Sequence, residues 1–312
     1  MENARSVDLE EVSVGLTALA REIGAVSSLG FARPQVVFSH GGDDADTLLL
    51  RSNIASAASQ LEQVADLIFA ACPGRRYYDL KNNGIPATDS DVVIFTDSDT
   101  VVESGWLSAM LGPFQDPATV AVNGYTYLYY DDFMSRTFAL IWFFPMAQKD
   151  TRFALKRAIN ANNVAFRRDR IFPENNGFKV SCTLLMRALE RDGHKLVSAN
   201  ARVYHHPPRG WRFFRWRALV TGRDADRKFR ELGSSHRGRR IAKSLSRWLT
   251  MSWRTARRVV RHARQTGMPV WQIPMSLLVG LAFYSLAFWG QFSLAVGLVH
   301  DEIEVLPDFA GE

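Results

Sequence analysis

Two aspartates, Asp97 and Asp99, stand directly after the clearest strand pattern in the sequence, the apolar run 91–96 (DVVIFT). Carboxylates at alternate positions beyond the end of a strand can hold a hard divalent cation, which prefers oxygen ligands. A cation held there can neutralise the negative charge that develops on a departing diphosphate. We therefore predict a metal site at these two residues. The alternative is an ordinary acidic turn.

The elements around these aspartates alternate between helical and strand patterns through residues 1–208. In chain order we predict a helix at 9–23, a strand at 34–38, a helix at 47–65, a strand at 65–71, the strand at 91–96, a helix at 103–113 and a strand at 119–130. Such alternation indicates an α/β fold with a mostly parallel sheet and helices on both faces. Ligands of such sheets lie beyond the carboxyl ends of the strands, which is where the aspartates stand.

Four segments of the chain together resemble family 2 glycosyltransferases of the GT-A fold. Residues 81–85 (KNNGI), the strand and residues 97–103 (DSDTVVE) resemble the family's central block. Residues 162–168 (NNVAFRR) resemble its acceptor-side strand. Residues 187–193 and 201–205 (ARVYH) resemble the helix and strand that close the active site. The likeness extends over about residues 7–220.

The resemblance implies a GT-A-like, Rossmann-like fold and a metal-dependent, inverting hexosyltransferase that uses a nucleotide-sugar. Asp97 and Asp99 would serve the metal and the nucleotide, with Asp99 as the more direct ligand. Lys81 and Asn82 would lie beside the nucleotide. His205 would be a third metal ligand or a diphosphate contact. The expected cofactor is a divalent cation, Mn²⁺ or Mg²⁺, and an imidazole ligand suits Mn²⁺ better.

Alternatives remain open for His205 and for the motif that follows it. His205 can simply end a strand beside Pro207, and the neighbouring His206 can take its place. Arg212, Arg215 and Trp216 have the spacing of the Gln/Arg-x-x-Arg-Trp motif of processive membrane synthases, and the resemblance implies a catalytic role for them. Physically, two guanidinium groups can clamp a diphosphate. Arg and Trp beside a membrane segment are also ordinary headgroup anchors.

Charge divides the chain into three predicted regions. Residues 1–208 carry a net charge of −4, residues 209–265 carry +15 and residues 266–312 carry −5. We predict a GT-A-like domain at 1–208, a basic amphipathic interfacial segment at 209–265 with a helix at 241–265, and a transmembrane helix with a short acidic tail at 266–312. Residues 266–299 contain no charged side chain, which is long enough to cross about 30 Å of hydrocarbon. The flanking charges then predict a single-pass protein of the cell membrane with a cytoplasmic catalytic domain.

Two departures from the family pattern are visible. The resemblance implies an apolar strand ahead of the first helix, and none is expected in residues 1–8. Inverting members place a Glu-Asp pair where this chain has residues 180–182 (VSC). An attacking hydroxyl needs a proton acceptor. The nearby candidates are Glu174, Asp169, Asp131 and Asp132, and spacing does not choose among them.

The expected partners are a nucleotide-sugar donor, a lipid or glycan acceptor and a membrane, with no nucleic acid. The main alternative is a catalytically inactive GT-A-like membrane scaffold in a polysaccharide assembly complex. A haloacid-dehalogenase-like phosphatase also uses Asp-x-Asp after a strand, but that family has Thr where this chain has Val101. A nucleic-acid binder could use the basic segment, although anionic lipid headgroups explain that segment more simply.

Overall fold

The chain forms two compact units, and each is described by itself. The computed structural model describes residues 9–27, 30–74, 77–142, 159–171, 182–207, 210–233 and 236–299. The first unit takes the described residues from 9 to 127 and from 159 to 205. The second unit takes those from 128 to 142 and from 206 to 299. The family's apolar strand ahead of the first helix would involve residues before Leu9, which lie outside these ranges.

The first unit alternates helices and strands, as the sequence predicts. Its elements are α1 Leu9–Val26, β1 Gln35–His40, α2 Asp44–Ala57, α3 Ser59–Val64, β2 Asp66–Ala71, α4 Tyr77–Gly84, β3 Val92–Thr96, β4 Thr100–Val102, α5 Trp106–Leu111, β5 Thr119–Leu128, β6 Asn163–Arg167, α7 Arg168–Ile171, α8 Cys182–Arg191 and β7 Lys195–His205. The single helix predicted at 47–65 is in fact two, α2 and α3. The break falls at Ala58, whose φ of −150° and ψ of 51° are not helical.

The strands form two sheets with mixed orientation. β1 and β2 pair in parallel in a sheet of their own. The second sheet has the order β3-β6-β5-β7-β4, and β6 is antiparallel to both β3 and β5, as β7 is to β4. The expectation of a mostly parallel sheet therefore holds only in part. A continuous apolar run such as DVVIFT occurs in strands of either orientation. The pattern therefore could not distinguish parallel from antiparallel pairing.

Helix α1 holds the start of α5, the helix that follows the aspartates and β4 along the chain. The carboxylate of Glu22, only 3% exposed, accepts hydrogen bonds from the backbone N–H groups of Gly105 and Leu107 at 3.1 and 3.2 Å. These donors lie at the start of α5, where the first N–H groups of a helix have no partner within the helix. Gly15 of α1 lies so close to β4 that an added Cβ would stand 2.7 Å from the carbonyl oxygen of Thr100. Residue 15 must therefore remain glycine for α1 to pack against β4.

The second unit is helical and contains α6 Phe133–Ile141, α9 Trp211–Glu231, α10 Arg237–His262 and α11 Ile273–Val296. The helix expected at 241–265 corresponds to α10. Gly222 of α9 and Gly290 of α11 let the two helices approach closely, because a Cβ on either would overlap the backbone of the other helix. Within the described residues, 270–296 form one helical stretch that is long and apolar enough to cross a membrane.

Candidate functional site

A short turn joins β3 to β4 and carries the two aspartates. The hydroxyl of Thr100 donates to the carbonyl oxygen of Asp97 at 2.6 Å and lies 2.6 Å from the hydroxyl of Thr96. These bonds close the turn over three residues. Thr100 is paired with His205 in the register of β4 and β7. Paired residues project from the same face of a sheet, so the register brings the imidazole to the turn.

Asp97, Asp99 and His205 form a cluster whose candidate ligand atoms all lie within 4.8 Å of one another. Nε2 of His205 is 3.4 Å from Oδ1 of Asp99 and 3.8 Å from Oδ2 of Asp97. The side chains of His205 and Asp97 are 11% and 15% exposed, whereas that of Asp99 is 46% exposed. The cluster is therefore walled on one side and open on the other. Two carboxylates and one imidazole suit a divalent cation such as Mn²⁺.

Lys81, on α4, holds one of these carboxylates. Its ammonium lies 2.7 Å from Oδ1 of Asp97 and donates to the carbonyl oxygen of Thr96 at 3.1 Å. The Lys81 side chain is only 9% exposed, so the pair is shielded from bulk water. The neighbouring Asn82 is half-buried, and its backbone carbonyl accepts from the N–H of Ile85 at 3.2 Å. The structure thus places Lys81 beside the predicted metal ligands. The nucleotide contact of Lys81 and Asn82 stays a prediction.

A second polar network, which sequence reasoning missed, joins β4, β5 and β7. The carboxylate of Glu103 accepts from the hydroxyl of Tyr127 at 2.6 Å and from Nε of Arg202 at 2.9 Å. The Arg202 guanidinium also lies over the ring of Tyr127, 5.0 Å from its centroid. Burial, and then the bond to Glu103, raise the pKa of the Tyr127 phenol. Glu103 lies in the DSDTVVE segment and Arg202 in the ARVYH segment. Their positions within these two motifs were the signal from which the network could have been predicted.

The network lies on the other face of the strand pair from the metal cluster. Side chains alternate along a strand, so Arg202 and His205, three residues apart on β7, project in opposite directions. The backbone N–H of Glu103 also bonds to the carbonyl oxygen of Arg202 at 3.0 Å, which extends the β4–β7 ladder by one residue. We conclude that the network fixes the pairing that presents His205.

The candidates for the proton acceptor occupy different places. The Asp169 side chain is 70% exposed and lies 3.4 Å from Nε of Arg170. Asp132 begins α6, where Oδ1 accepts from the backbone N–H of Ser135 at 2.7 Å, and this bond gives it a structural role as a helix cap. Asp131 precedes it in the second unit. Glu174 and residues 180–181 lie outside the described residues. None of these positions assigns the base.

Arg212, Arg215 and Trp216 lie near the start of α9 in the second unit. Both arginines are exposed on this helix. Trp216 is half-buried, with its ring edge-on to that of Phe213 at 5.4 Å. The helical spacing places Arg212, Arg215 and Trp216 on one side of α9, since residues three and four apart are neighbours on a helix surface. Their catalytic role stays a prediction.

Comparison with known families finds one family model that matches part of the chain. Residues 52–188 match the model described as Glycosyl transferase family 2. The matched segment contains Lys81, Asp97 and Asp99, and it ends before His205. The resemblance to family 2 glycosyltransferases is thereby confirmed, and with it a GT-A-like fold for the first unit. No curated protein sequence matches the chain significantly.

Solved structures with similar coordinates include several glycosyltransferases. The mannosyltransferase PcManGT from Pyrobaculum calidifontis, in complex with GDP-Man and Mn²⁺, is 12% identical, with 93% of this chain and 98% of that chain covered and a TM-score of 0.47. S. aureus TarS 1-349 is 11% identical over 98% and 92% of the two chains, with a TM-score of 0.47. Glucosyl-3-phosphoglycerate synthase from Mycobacterium tuberculosis, in complex with Mn²⁺ and UDP-Glc, is 14% identical over 72% and 76%, with a TM-score of 0.46.

Proposed function

We propose that this chain is a glycosyltransferase that transfers a glycosyl unit from a nucleotide-sugar donor to a lipid-linked or glycan acceptor at a membrane. The observation that carries the proposal is the cluster of Asp97, Asp99 and His205. Two of these three residues lie within the segment that matches glycosyl transferase family 2. Such a cluster, at the end of a largely apolar strand and open on one side, can bind a metal-bound diphosphate.

The donor atoms of the cluster fit a divalent cation. Carboxylate oxygens satisfy hard cations, and the imidazole nitrogen favours a transition metal such as Mn²⁺ over Mg²⁺. We propose that Asp99 and His205 hold the cation, with Asp97 as the third ligand. A bound cation would supply Lewis-acid stabilisation of the negative charge on the leaving diphosphate. Exposure of the Asp99 side chain leaves room for phosphate oxygens on that side.

The chain's own residues would orient and balance this charge. Lys81 fixes the Asp97 carboxylate through its 2.7 Å contact and keeps one positive charge beside the cluster. A cation next to phosphate oxygens stabilises a departing diphosphate most where water is largely excluded. Lys81, at 9% exposure, lies in such a place. We propose that Lys81 contacts the donor's phosphates once the donor is bound, and that Asn82 on the same helix lines the nucleotide side.

The test is release of nucleoside diphosphate from GDP-mannose, UDP-glucose and UDP-N-acetylglucosamine, with and without Mn²⁺, in the presence of membrane lipid extract as acceptor. We expect metal-dependent turnover with one donor, lost in Asp99→Asn and retained in Asp192→Asn. Asp192 is a suitable control because it lies in the same unit, pairs with Arg191 and takes no part in the cluster. Donor binding without turnover for any donor would favour the inactive scaffold. Absence of both would reject the proposal.

We also propose that the second unit attaches the chain to the cytoplasmic face of a membrane. The predicted basic segment, 209–265, is drawn to anionic lipids, at about 1 kcal/mol for each Lys or Arg near the surface. Rows of large apolar side chains on two helices are exposed to solvent. They are Leu245, Leu249, Trp253 and Val260 on α10, and Met275, Leu278, Leu281 and Trp289 on α11. Apolar rows beside basic side chains are typical of helices that lie in a membrane interface.

The packing of α10 bears on how α11 meets the lipid. The two helices run antiparallel along their length. Nε1 of Trp248 donates to Ser285 at 3.2 Å, and Arg240 donates to the carbonyl oxygen of Leu294 at 3.2 Å. α10 carries nine Lys and Arg residues and no acidic residue. If α10 accompanied α11 across a bilayer, each central arginine would cost roughly 2.5–3.5 kcal/mol. This arrangement favours α11 lying in the interface over the single-pass span that its length predicts.

Spin labels on α11 distinguish the two arrangements. In a chain with Cys72→Ser and Cys182→Ser, single cysteines at Met275, Leu281 and Trp289 would each carry a nitroxide on vesicles of phosphatidylcholine and phosphatidylglycerol. An in-plane helix gives one shallow depth of roughly 5–10 Å at all three sites. A spanning helix gives its greatest depth at Leu281. A label at Leu48, an exposed residue of the first unit, is the control.

A further inference from the structure

The second unit contains an open groove of about 340 Å³ between the start of α6 and the start of α9. Its floor includes Phe138 and Phe214, which are 1% and 3% exposed and whose rings are 5.8 Å apart. Tyr129 and Trp211 line it as well and remain 45% and 65% exposed. The groove therefore presents two large aromatic rings to solvent above a buried aromatic floor.

The ring of Trp211 stacks on the buried ring of Phe214. One face lies parallel to Phe214, with centroids 5.1 Å apart and an interplanar angle of 16°. Gly210 immediately before it has a φ of 78°, a backbone conformation that side chains other than glycine's rarely adopt, and this turn starts α9. Because one face is covered by Phe214, the opposite face of the indole is the one that a ligand can use.

Two carboxylates, those of Asp131 and Asp132, lie on the rim of the groove. The hydroxyl of Ser135, 2% exposed, lies 3.4 Å from Oδ1 of Asp131 and 3.1 Å from the carbonyl oxygen of Asp132, and the backbone N–H of Ser135 donates to Oδ1 of Asp132 at 2.7 Å. In the part of the chain that the structure describes, these contacts involve only the Oδ1 atoms of the two carboxylates. A carboxylate offers about four acceptor positions, so both residues can accept further hydrogen bonds from a ligand.

The chemistry of this lining selects among ligand classes. Among the lining residues that the structure describes, two are carboxylates and none is Lys, Arg or His, so at these residues a phosphate would meet like charge. An alkyl chain would leave the carboxylates without donors. A pyranose ring has an apolar C–H face that fits an aromatic ring and an edge of hydroxyl donors that fit carboxylates. The volume lies at the lower end of the range for small-ligand sites.

We infer that this groove binds a neutral hexopyranose ring of the glycan acceptor, with the free face of Trp211 stacked on the sugar and Asp131 accepting from its hydroxyls. The inference deepens the proposed function, since it rests on the chain being a glycosyltransferase, and it assigns a sugar subsite within the second unit. Asp132 caps α6 and helps to shape the rim. Tyr129 lines the groove beside Trp211 and supplies a second aromatic surface.

The test measures binding of sugars without turnover. Saturation-transfer NMR of the full chain with the methyl glycosides of mannose, glucose, galactose and N-acetylglucosamine should detect at least one ligand. Trp211→Ala and Asp131→Asn should each weaken its binding by about tenfold or more, because a stacking surface or a charge-assisted hydrogen bond is lost. Trp211→Phe, which keeps an aromatic ring, should retain part of the affinity. Asp132 is left intact because its cap supports α6.

Trp271→Ala is the matched control, since Trp271 is 69% exposed in the same unit and does not line the groove. It should leave binding unchanged, and circular dichroism should confirm that every variant is folded. The inference is wrong if no methyl glycoside binds, if only long-chain alkyl glycosides bind, or if Trp211→Ala and Trp271→Ala behave alike. Binding of GDP-mannose or UDP-glucose with Mn²⁺ is measured separately. Donor binding that depends on Asp99 would survive a failure of the groove, so the two failures are distinguishable.

Discussion

Replacing Asp99 by Asn should separate metal binding from folding. The side chain of Asp99 is 46% exposed, so an amide of the same size should change the free energy of unfolding by no more than about 0.5 kcal/mol. The same change removes one of three ligands and one negative charge from the cluster. We expect Mn²⁺ affinity to fall by about 100-fold, which corresponds to about 2.7 kcal/mol. Calorimetric titration with Mn²⁺ and denaturant unfolding of the same preparation measure the two effects.

Asp97→Asn gives the contrast that makes the experiment decisive. Asp97 is 15% exposed and its carboxylate lies 2.7 Å from the Lys81 ammonium, which is itself 9% exposed. Removing the carboxylate takes away the anionic partner of a shielded ammonium, which keeps only neutral acceptors such as the carbonyl oxygen of Thr96. This variant should therefore lose roughly 2–4 kcal/mol of stability as well as metal affinity. If Asp99→Asn bound Mn²⁺ as tightly as the unmodified chain, the assignment of the cluster as a metal site would be refuted. If both variants were equally unstable, the stabilising role of the Lys81–Asp97 pair would be refuted.

Three further predictions concern stability. Burial lowers the pKa of His40 below its usual value of about 6.5, so unfolding takes up a proton and stability should fall as the pH drops below that value. Denaturant unfolding at pH 7 and 5.5 should show the loss, and His40→Gln should reduce it. Gly222→Ala should cost about 3 kcal/mol, because its Cβ would overlap the α11 backbone, whereas Gly238→Ala, in open space, should cost nothing. Tyr127→Phe should cost about 1–2 kcal/mol in chemical unfolding, because Glu103 loses a hydrogen bond.

The sequence predicted the site best where the role of a residue follows from its position relative to one strand. Asp97 and Asp99 follow an apolar run, and a strand of that kind ends at the edge of the sheet where ligands lie. Local pattern also located α1, β1, β2, β3, α5 and β5 to within a few residues, but it did not predict α4 or β4. The break at Ala58 was missed, because a single residue with non-helical backbone angles leaves little trace in an otherwise helical pattern.

Features that depend on contacts between distant segments could not be read in this way. The ion pair between Lys81 and Asp97 joins a helix to a turn, and no spacing rule connects the two. Strand orientation was equally hidden, since β3 and β6 are both mostly apolar and pair antiparallel. The helix α11 has a composition that predicts a membrane span. Its packing against the cationic α10 adds a cost that composition does not show, the cost of placing arginines within a bilayer.

The candidate site depends on one register. His205 joins the aspartates because it pairs with Thr100. A slip of one residue between β4 and β7 would place Tyr204 there and turn the imidazole to the other face of the sheet. The bonds from Arg202 and Tyr127 to Glu103 hold the same two strands from the opposite face, one residue beyond the last ladder pair. The metal cluster and the polar network therefore lie on opposite faces of one strand pair. Weakening the polar network should loosen the metal cluster without changing any metal ligand.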